Sequence, residues 1–200
     1  MSNTAAEMMD AIFDVAGDTL PPGYPFALWQ ALVCHAPVLA SEQSVGVIPL
    51  RTTVSDEGML LPKRAKLTLR LPAALTTQVA TLSGLHLEIE GNALRLGNLK
   101  FRPIQAYPTL HAHLVNTDED EVSFINSVSA QLAELNINAK LICGMRNQLA
   151  SATRTISGFS LVIHDLKPDA SLRLQYNGLG ADRNFGCGIF VPHKAITDLD

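Results

Sequence analysis

Apolar and polar positions along this chain fall into short periodic blocks. In "AIFDVAGDTL", Ile12, Asp14 and Ala16 alternate with Phe13 and Val15 as far as Asp18, which predicts a half-buried strand. "YPFALWQALVCHAP" changes period: Leu28, Ala31, Leu32 and His35 recur at helical spacing, with Pro25 near the start and Pro37 past the end. "SVGVIPLR" and "AKLTLRLP" return to strand character, the second with Lys66, Thr68 and Arg70 on one face and Leu67, Leu69 and Leu71 on the other. "PAALTTQVATLSG" predicts a second helix, opened by Pro72 and stopped by Gly84, and "LHLEIEGNALRLGNLKFRPI" a hairpin turning at Gly91-Asn92.

This order, β-α-β-β-α-β, is the ferredoxin-like pattern. The second half nearly repeats it. "LHAHLVN" reads as a strand, "SFINSVSAQLAEL" as a helix capped by Ser123, and "AKLICGM" and "GFSLVIHDL" as strands. "SLRLQYNGL" reads as one more strand running into a glycine-rich stretch, with no helix expected between Leu166 and Ser171. The expected fold class is therefore α+β: tandem ferredoxin-like (RRM-like) domains over residues 1–104 and 105–200, the second one trimmed, with a C-terminal glycine-rich loop.

Composition narrows the function classes. At 200 residues and 47% hydrophobic content the chain can bury a sizeable core. It has no apolar run of the ~18 residues a membrane span needs and no basic-then-apolar N-terminus, so a cytoplasmic protein with no membrane partner is expected. Cys34, Cys143 and Cys187 lack C-x-x-C spacing, which argues against a disulfide framework or a zinc site and for reduced core residues. A net charge of −4 speaks against nucleic acid until the charges are placed. Acids concentrate in Asp118–Glu121 and at Asp198–Asp200, whereas Arg146, Arg154, Lys167, Arg173, Arg183 and Lys194 gather between residues 140 and 194.

The most distinctive stretch is "GLGADRNFGCGIFVPHK". It is not a dinucleotide fingerprint, because its third glycine comes too late and a strand rather than a helix follows. Either it is a ligand-free glycine hairpin or its backbone approaches a ligand closely. Together with the tandem pattern and "FDVAGDTLPPGYPFALWQAL", it resembles the RAMP superfamily and, within it, the compact CRISPR repeat-processing endoribonucleases of myxobacterial and cyanobacterial type I systems. That resemblance implies metal-independent RNA cleavage through a ribose 2′-hydroxyl with no cofactor and no metal. It implies as partners the CRISPR repeat RNA hairpin, the guide RNA and other effector subunits. It puts Gly178, Gly180, Gly186 and Gly188 near the RNA.

Such cleavage needs a base, an acid and a cation. His35 ends the first helix, where the dipole favours a protonated donor, and the resemblance places an acid/base histidine in or just after this helix. His193 stands beside Lys194 after the glycine stretch and is the second candidate. Tyr24, just before the first helix, is the third. Lys63 and Arg64 occupy a loop from which long cations reach a phosphate. The polar stretch holding Arg146, Asn147, Gln148 and Arg154 reads either as a plain exposed hairpin or, as the resemblance implies, as a hairpin over RNA, with Arg183 and Lys194 adding charge. His111 and His113 share one strand face without a third metal ligand, and His86 and His164 lie in apolar strands, so structural roles are expected for all four. Where compact relatives often have a histidine before a proline, this chain has Ile48-Pro49. A subunit that holds the 3′ handle of a guide RNA without cutting it is therefore the alternative. A tandem domain binding small ligands or protein is a third reading, resting on the acidic net charge.

Overall fold

The computed structural model describes residues 7–56 and 58–193, which form two compact units. The first runs up to Ile104 and also takes in Leu149–Arg154 and Asn184–Gly186; the second holds Gln105–Gln148, Thr155–Arg183 and the residues from Cys187 on.

In the first unit the elements are β1 (Met8–Ala16), β2 (Thr19–Leu20), α1 (Tyr24–His35), β3 (Gly46–Ile48), β4 (Thr53–Ser55), β5 (Gly58–Leu60), β6 (Lys66–Pro72), α2 (Thr76–Ala80), β7 (His86–Ile89) and β8 (Asn92–Pro103). The main sheet has the order β3-β6-β1-β8-β7, and β2, β5 and β4 make a small separate sheet. Alternation explains the core: Ala11, Phe13 and Val15 of β1 and Leu67, Leu69 and Leu71 of β6 pack with Leu28 and Leu32 of α1. Each such leucine or phenylalanine contributes about 1.5–3 kcal/mol when buried. The other face of β1 and β6 carries the register pairs Asp10–Arg70 and Asp14–Lys66, both ion pairs, the first fully buried. Two expectations shift here. The hairpin turns at Glu90-Gly91, both with positive φ, one residue before the predicted position. The predicted second helix is a 3-10 turn, Ala73–Leu75, followed by the five-residue α2.

The second unit contains β9 (Leu110–Asn116), α3 (Glu121–Glu134), most of β10 (Lys140–Ala150), β11 (Thr155–His164), α4 (Pro168–Asn177) and β12 (Val191–Pro192). Its sheet order, β10-β11-β9-β12, is the ferredoxin-like one. The residue capping α3 is Asp120, whose carboxylate accepts from the Ser123 amide at 3.0 Å, so Ser123 is the third helical residue rather than the cap. That hydrogen bond holds the Asp120 carboxyl below its usual range.

The larger correction concerns "SLRLQYNGL", which forms α4 and not a strand. Leu172, Leu174 and Tyr176 suggest a period of two, but the buried face is Ala170, Ser171, Leu174 and Gln175, which is helical spacing. Two of those four are polar, and each is satisfied: Ser171 Oγ accepts from the Tyr107 amide at 2.9 Å, and Gln175 Nε2 donates to the Gln105 carbonyl at 2.8 Å. The second unit thus has both helices, and its shortened element is the two-residue β12. Among the cysteines, Cys187 is buried and Cys143 half-buried, whereas Cys34 is exposed rather than in the core. No helix among the described residues is long and apolar enough to cross a membrane.

Candidate functional site

Three distant pieces of sequence meet within the first unit. Phe26 from the first turn of α1 and Phe185 from the glycine-rich stretch have ring centroids 4.8 Å apart. The Arg154 guanidinium lies 4.9 Å from the Phe185 centroid and 5.8 Å from that of Phe26. Ser151 orders the segment before Arg154: its amide donates to the Arg154 carbonyl at 2.7 Å, and its hydroxyl accepts from the Arg154 amide at 3.1 Å. Gly23 lets α1 start here, since a Cβ would sit 2.9 Å from the Ala150 carbonyl oxygen. An exposed cation over two half-exposed rings is the type of surface on which nucleobases stack.

His35 is exposed at the opposite end of α1. Nine residues of helix place it about 13–14 Å along the axis from Phe26. Phe26, Ala27, Gln30, Ala31 and Cys34 of that helix line a groove of about 450 Å³, together with Glu88, Glu90 and the segment Ser151, Ala152 and Thr153. Those two carboxylates make it a poor seat for phosphate.

Tyr24 leaves the catalytic set. It is 4% exposed, its oxygen accepts from the Leu50 amide at 2.9 Å, and burial pushes its pKa up to about 12. A phenol so placed is a core residue that anchors α1 to the chain after β3.

The glycine stretch is folded onto its own chain. Gly178, with φ +65, ends α4 in the left-handed region and donates its amide to the Leu174 carbonyl at 2.8 Å. Gly188 donates to Leu114 O at 2.7 Å, and a Cβ there would fall on the Leu179 carbonyl. The Gly180 amide goes to Gln131 Oε1 at 3.1 Å, and that of Ala181 to Asn116 Oδ1 at 2.8 Å. Gly186, within the first unit, is buried against Pro49. The amides of Gly178, Gly180 and Gly188 therefore do not cradle an anion; these positions are glycine because the backbone packs on itself. Arg183 is also withdrawn, 8% exposed with its guanidinium against Gly178, so it does not present charge to a phosphate.

In the second unit, Arg146 and Gln148 are exposed on β10 and Asn147 is half-buried. The Arg146 guanidinium lies 5.0 Å from the Phe159 centroid and donates to the Glu119 carbonyl at 3.0 Å. Asn147 Nδ2 donates to the His113 carbonyl at 2.9 Å and Gln148 Nε2 to Ser157 Oγ at 3.3 Å. His193 is exposed, its ring 5.6 Å from that of His111. Burial first, then the charges of His193 and His113, hold the His111 pKa below the usual imidazole value. Lys63 and Arg64 are exposed in the first unit, and Lys194 lies outside the described residues. Among the described residues no cluster of His, Cys, Asp or Glu is arranged to hold a metal.

The Cas6 CRISPR family model matches residues 9–195. A CRISPR-associated endonuclease Cas6 from Myxococcus xanthus is 32% identical over 186 residues, covering 92% of this chain and 81% of that protein. The chain belongs to the Cas6 family. Solved structures similar to it include a Cas6-related protein from Pyrococcus furiosus, with a TM-score of 0.69 and 12% identity over 94% of this chain and 99% of that one. A RAMP protein binding different RNA substrates gives a TM-score of 0.70 at 10% identity, over 91% of this chain and 98% of that one. These two likenesses concern the tandem fold.

Within this Cas6 chain, Phe26 and Phe185 carry no signal in the sequence, and His111 is read there only as a structural residue, not as a neighbour of His193. Phe26 looks like one more apolar helix residue and Phe185 like filler between glycines. Only tertiary contact shows that they flank Arg154. His111 sits on the strand that β12 pairs with, and a two-residue strand has too little periodicity to announce that pairing.

Proposed function

We propose that this chain is a metal-independent CRISPR endoribonuclease that binds the repeat hairpin of the precursor transcript, cuts it and keeps the 3′ handle. The chemistry is attack of a ribose 2′-oxygen on the adjacent phosphorus. The 2′-hydroxyl gives its proton to a base as the P–O2′ bond forms, and the P–O5′ bond breaks as the leaving 5′-oxygen takes a proton from an acid. His35 is the donor to that oxygen, because its imidazole is exposed at the C-terminal end of α1, where it is open to a bound RNA. Arg154, with Phe26 and Phe185, holds RNA at the other end of α1, and in the second unit Arg146, Asn147, Gln148 and His193, with Lys194 in the sequence beyond, are the further residues assigned to RNA. The observation that carries this reading is the meeting of the hairpin tip, the glycine stretch and α1 on Arg154 in a chain 32% identical to a named Cas6 endonuclease.

Handle binding without cleavage is the second reading. Ile48 before Pro49 and the buried Tyr24 favour it, since the titratable imidazoles of the first unit are then His35 and His86. The two are separated by incubating the protein with labelled repeat hairpin in EDTA. Cutting by wild type and a 10²- to 10⁴-fold slower rate in His35→Ala at unchanged affinity, roughly the range for one acid/base group, supports the nuclease. Full activity of His35→Ala moves the proton to His193. Tight binding with no cut by wild type selects the handle-binding subunit.

A further inference from the structure

One end of the first unit's main sheet opens into a groove of about 500 Å³, lined by Asp14, Lys63, Arg64, Lys66, Arg95 and Asn98 together with small or apolar residues. Its four cations face one carboxylate, in a chain whose net charge is −4. The fold builds this concentration deliberately. Lys63 and Arg64 sit in a tight turn closed by the Ala65 amide on the Pro62 carbonyl at 2.9 Å, and both project into solvent. Lys66 starts β6 opposite Asp14 of β1, and Arg95 on β8 lies opposite Ala16. The cations thus span two strand spacings, about 10 Å.

Between them the sheet is bulged. Phe13 pairs with Leu99 and Val15 with Leu96, so Gly97 and Asn98 together oppose Asp14. The extra residue bends β8, and Gly97 keeps the bend open because a Cβ there would stand 3.2 Å from Asp14 Cβ. Asp14 is hydrogen-bonded to Lys66, which first, and with Lys100 electrostatically, holds its carboxyl below the usual range. Lys63, Arg64 and Arg95 line the same groove and are exposed.

We infer that this groove binds the sugar-phosphate backbone of single-stranded RNA outside the hairpin. The claim rests on the RNA reading above but names a separate surface. A single strand suits the site because its cations span only about 10 Å, less than the breadth of a duplex. Phosphate rather than base is recognised, since the groove has cations and one side-chain amide but no aromatic lining on which a base would stack. Binding is therefore indifferent to sequence and steep in salt.

The test uses the full chain with a uridine decamer, an adenosine decamer, the repeat hairpin alone and the hairpin with a single-stranded extension. Fluorescence anisotropy at several salt concentrations reads affinity, and thermal melting checks the fold. Wild type is expected to bind both decamers equally and to gain affinity when the hairpin carries the extension. Lys63→Ala, Arg64→Ala and Arg95→Ala combined should weaken decamer binding at least tenfold, remove the gain from the extension and lower the salt slope by about 2, at roughly 0.7 per lost single-strand phosphate contact. Asp14→Asn should tighten decamer binding several-fold. An unchanged salt slope in the triple variant, a persisting gain from the extension, or a tenfold preference between the decamers overturns the inference. If wild type binds the decamers but not the hairpin, the hairpin reading fails while the groove stands.

Discussion

The glycine stretch and the Pro62–Ala65 turn are both loops with a claim on RNA, yet their polar groups go to opposite uses. In the first, the amides of Gly178, Leu179, Gly180, Ala181, Cys187 and Gly188 all have partners in the chain, and Arg183 is buried. In the second, one backbone hydrogen bond closes the turn and two cations stand in solvent. Sequence prominence therefore does not measure availability to a ligand. A run of glycines marks where backbone comes close to something, and here that something is the protein's own backbone.

The sharpest way to break this contrast is Gly188→Ala. The new Cβ would fall on the Leu179 carbonyl, and φ is +63, so both sterics and backbone strain act. Stability should drop by about 2–4 kcal/mol. Urea unfolding reads the loss, and RNA affinity measured well below the midpoint should be nearly intact. Lost affinity at full stability would return the glycines to the ligand.

How much of this was legible in sequence follows the same line. Strands with clean alternation, such as Leu67, Leu69 and Leu71, were readable because burial alone sets their pattern. Helix α1 was readable because Pro25 and Pro37 bracket it. Helix α4 was not, since Ser171 and Gln175 occupy core positions that only their partners at Tyr107 and Gln105 make tolerable. In the candidate site, Arg154 was readable as a loop cation, but its two phenylalanines come from segments more than a hundred residues apart. Nothing local to Phe26 or Phe185 states that they meet.

Tyr24 tests the internal side of the comparison at intermediate size. Tyr24→Phe leaves the Leu50 amide without its 2.9 Å acceptor, at a cost of about 1–3 kcal/mol. The phenol also gives wild type a pH signature. Its folded pKa of about 12 exceeds the ordinary tyrosine value of 10.0, so its contribution is complete below pH 10 and is lost as pH rises through 12. That rise corresponds to about 3 kcal/mol. Urea midpoints measured across that window should fall steeply for wild type and more gently for Tyr24→Phe. Identical curves would show that the hydroxyl is not held as described. Slower RNA cleavage by folded Tyr24→Phe would restore Tyr24 to the chemistry.

The smallest expected effect belongs to the His111–His193 pair, where one ring is half-buried and its neighbour is open to solvent. Burial, then His193 and His113, lower the His111 pKa. For a lowered histidine the unfolded chain binds its proton first as pH falls. The stabilising contribution is therefore present above the ordinary imidazole range and lost as pH drops from there through the folded value. Because the ring is partly exposed, solvent screening keeps this below what full burial would give. His193→Ala should raise the His111 pKa slightly, by removing one of two like charges, and His111→Ala should remove this one contribution to the acid-side dependence. NMR titration of the imidazole C–H signals resolves both rings. A His111 titration unmoved by His193→Ala would show that the rings do not share charge, leaving burial as the cause of the shift and His193 as an independent surface group.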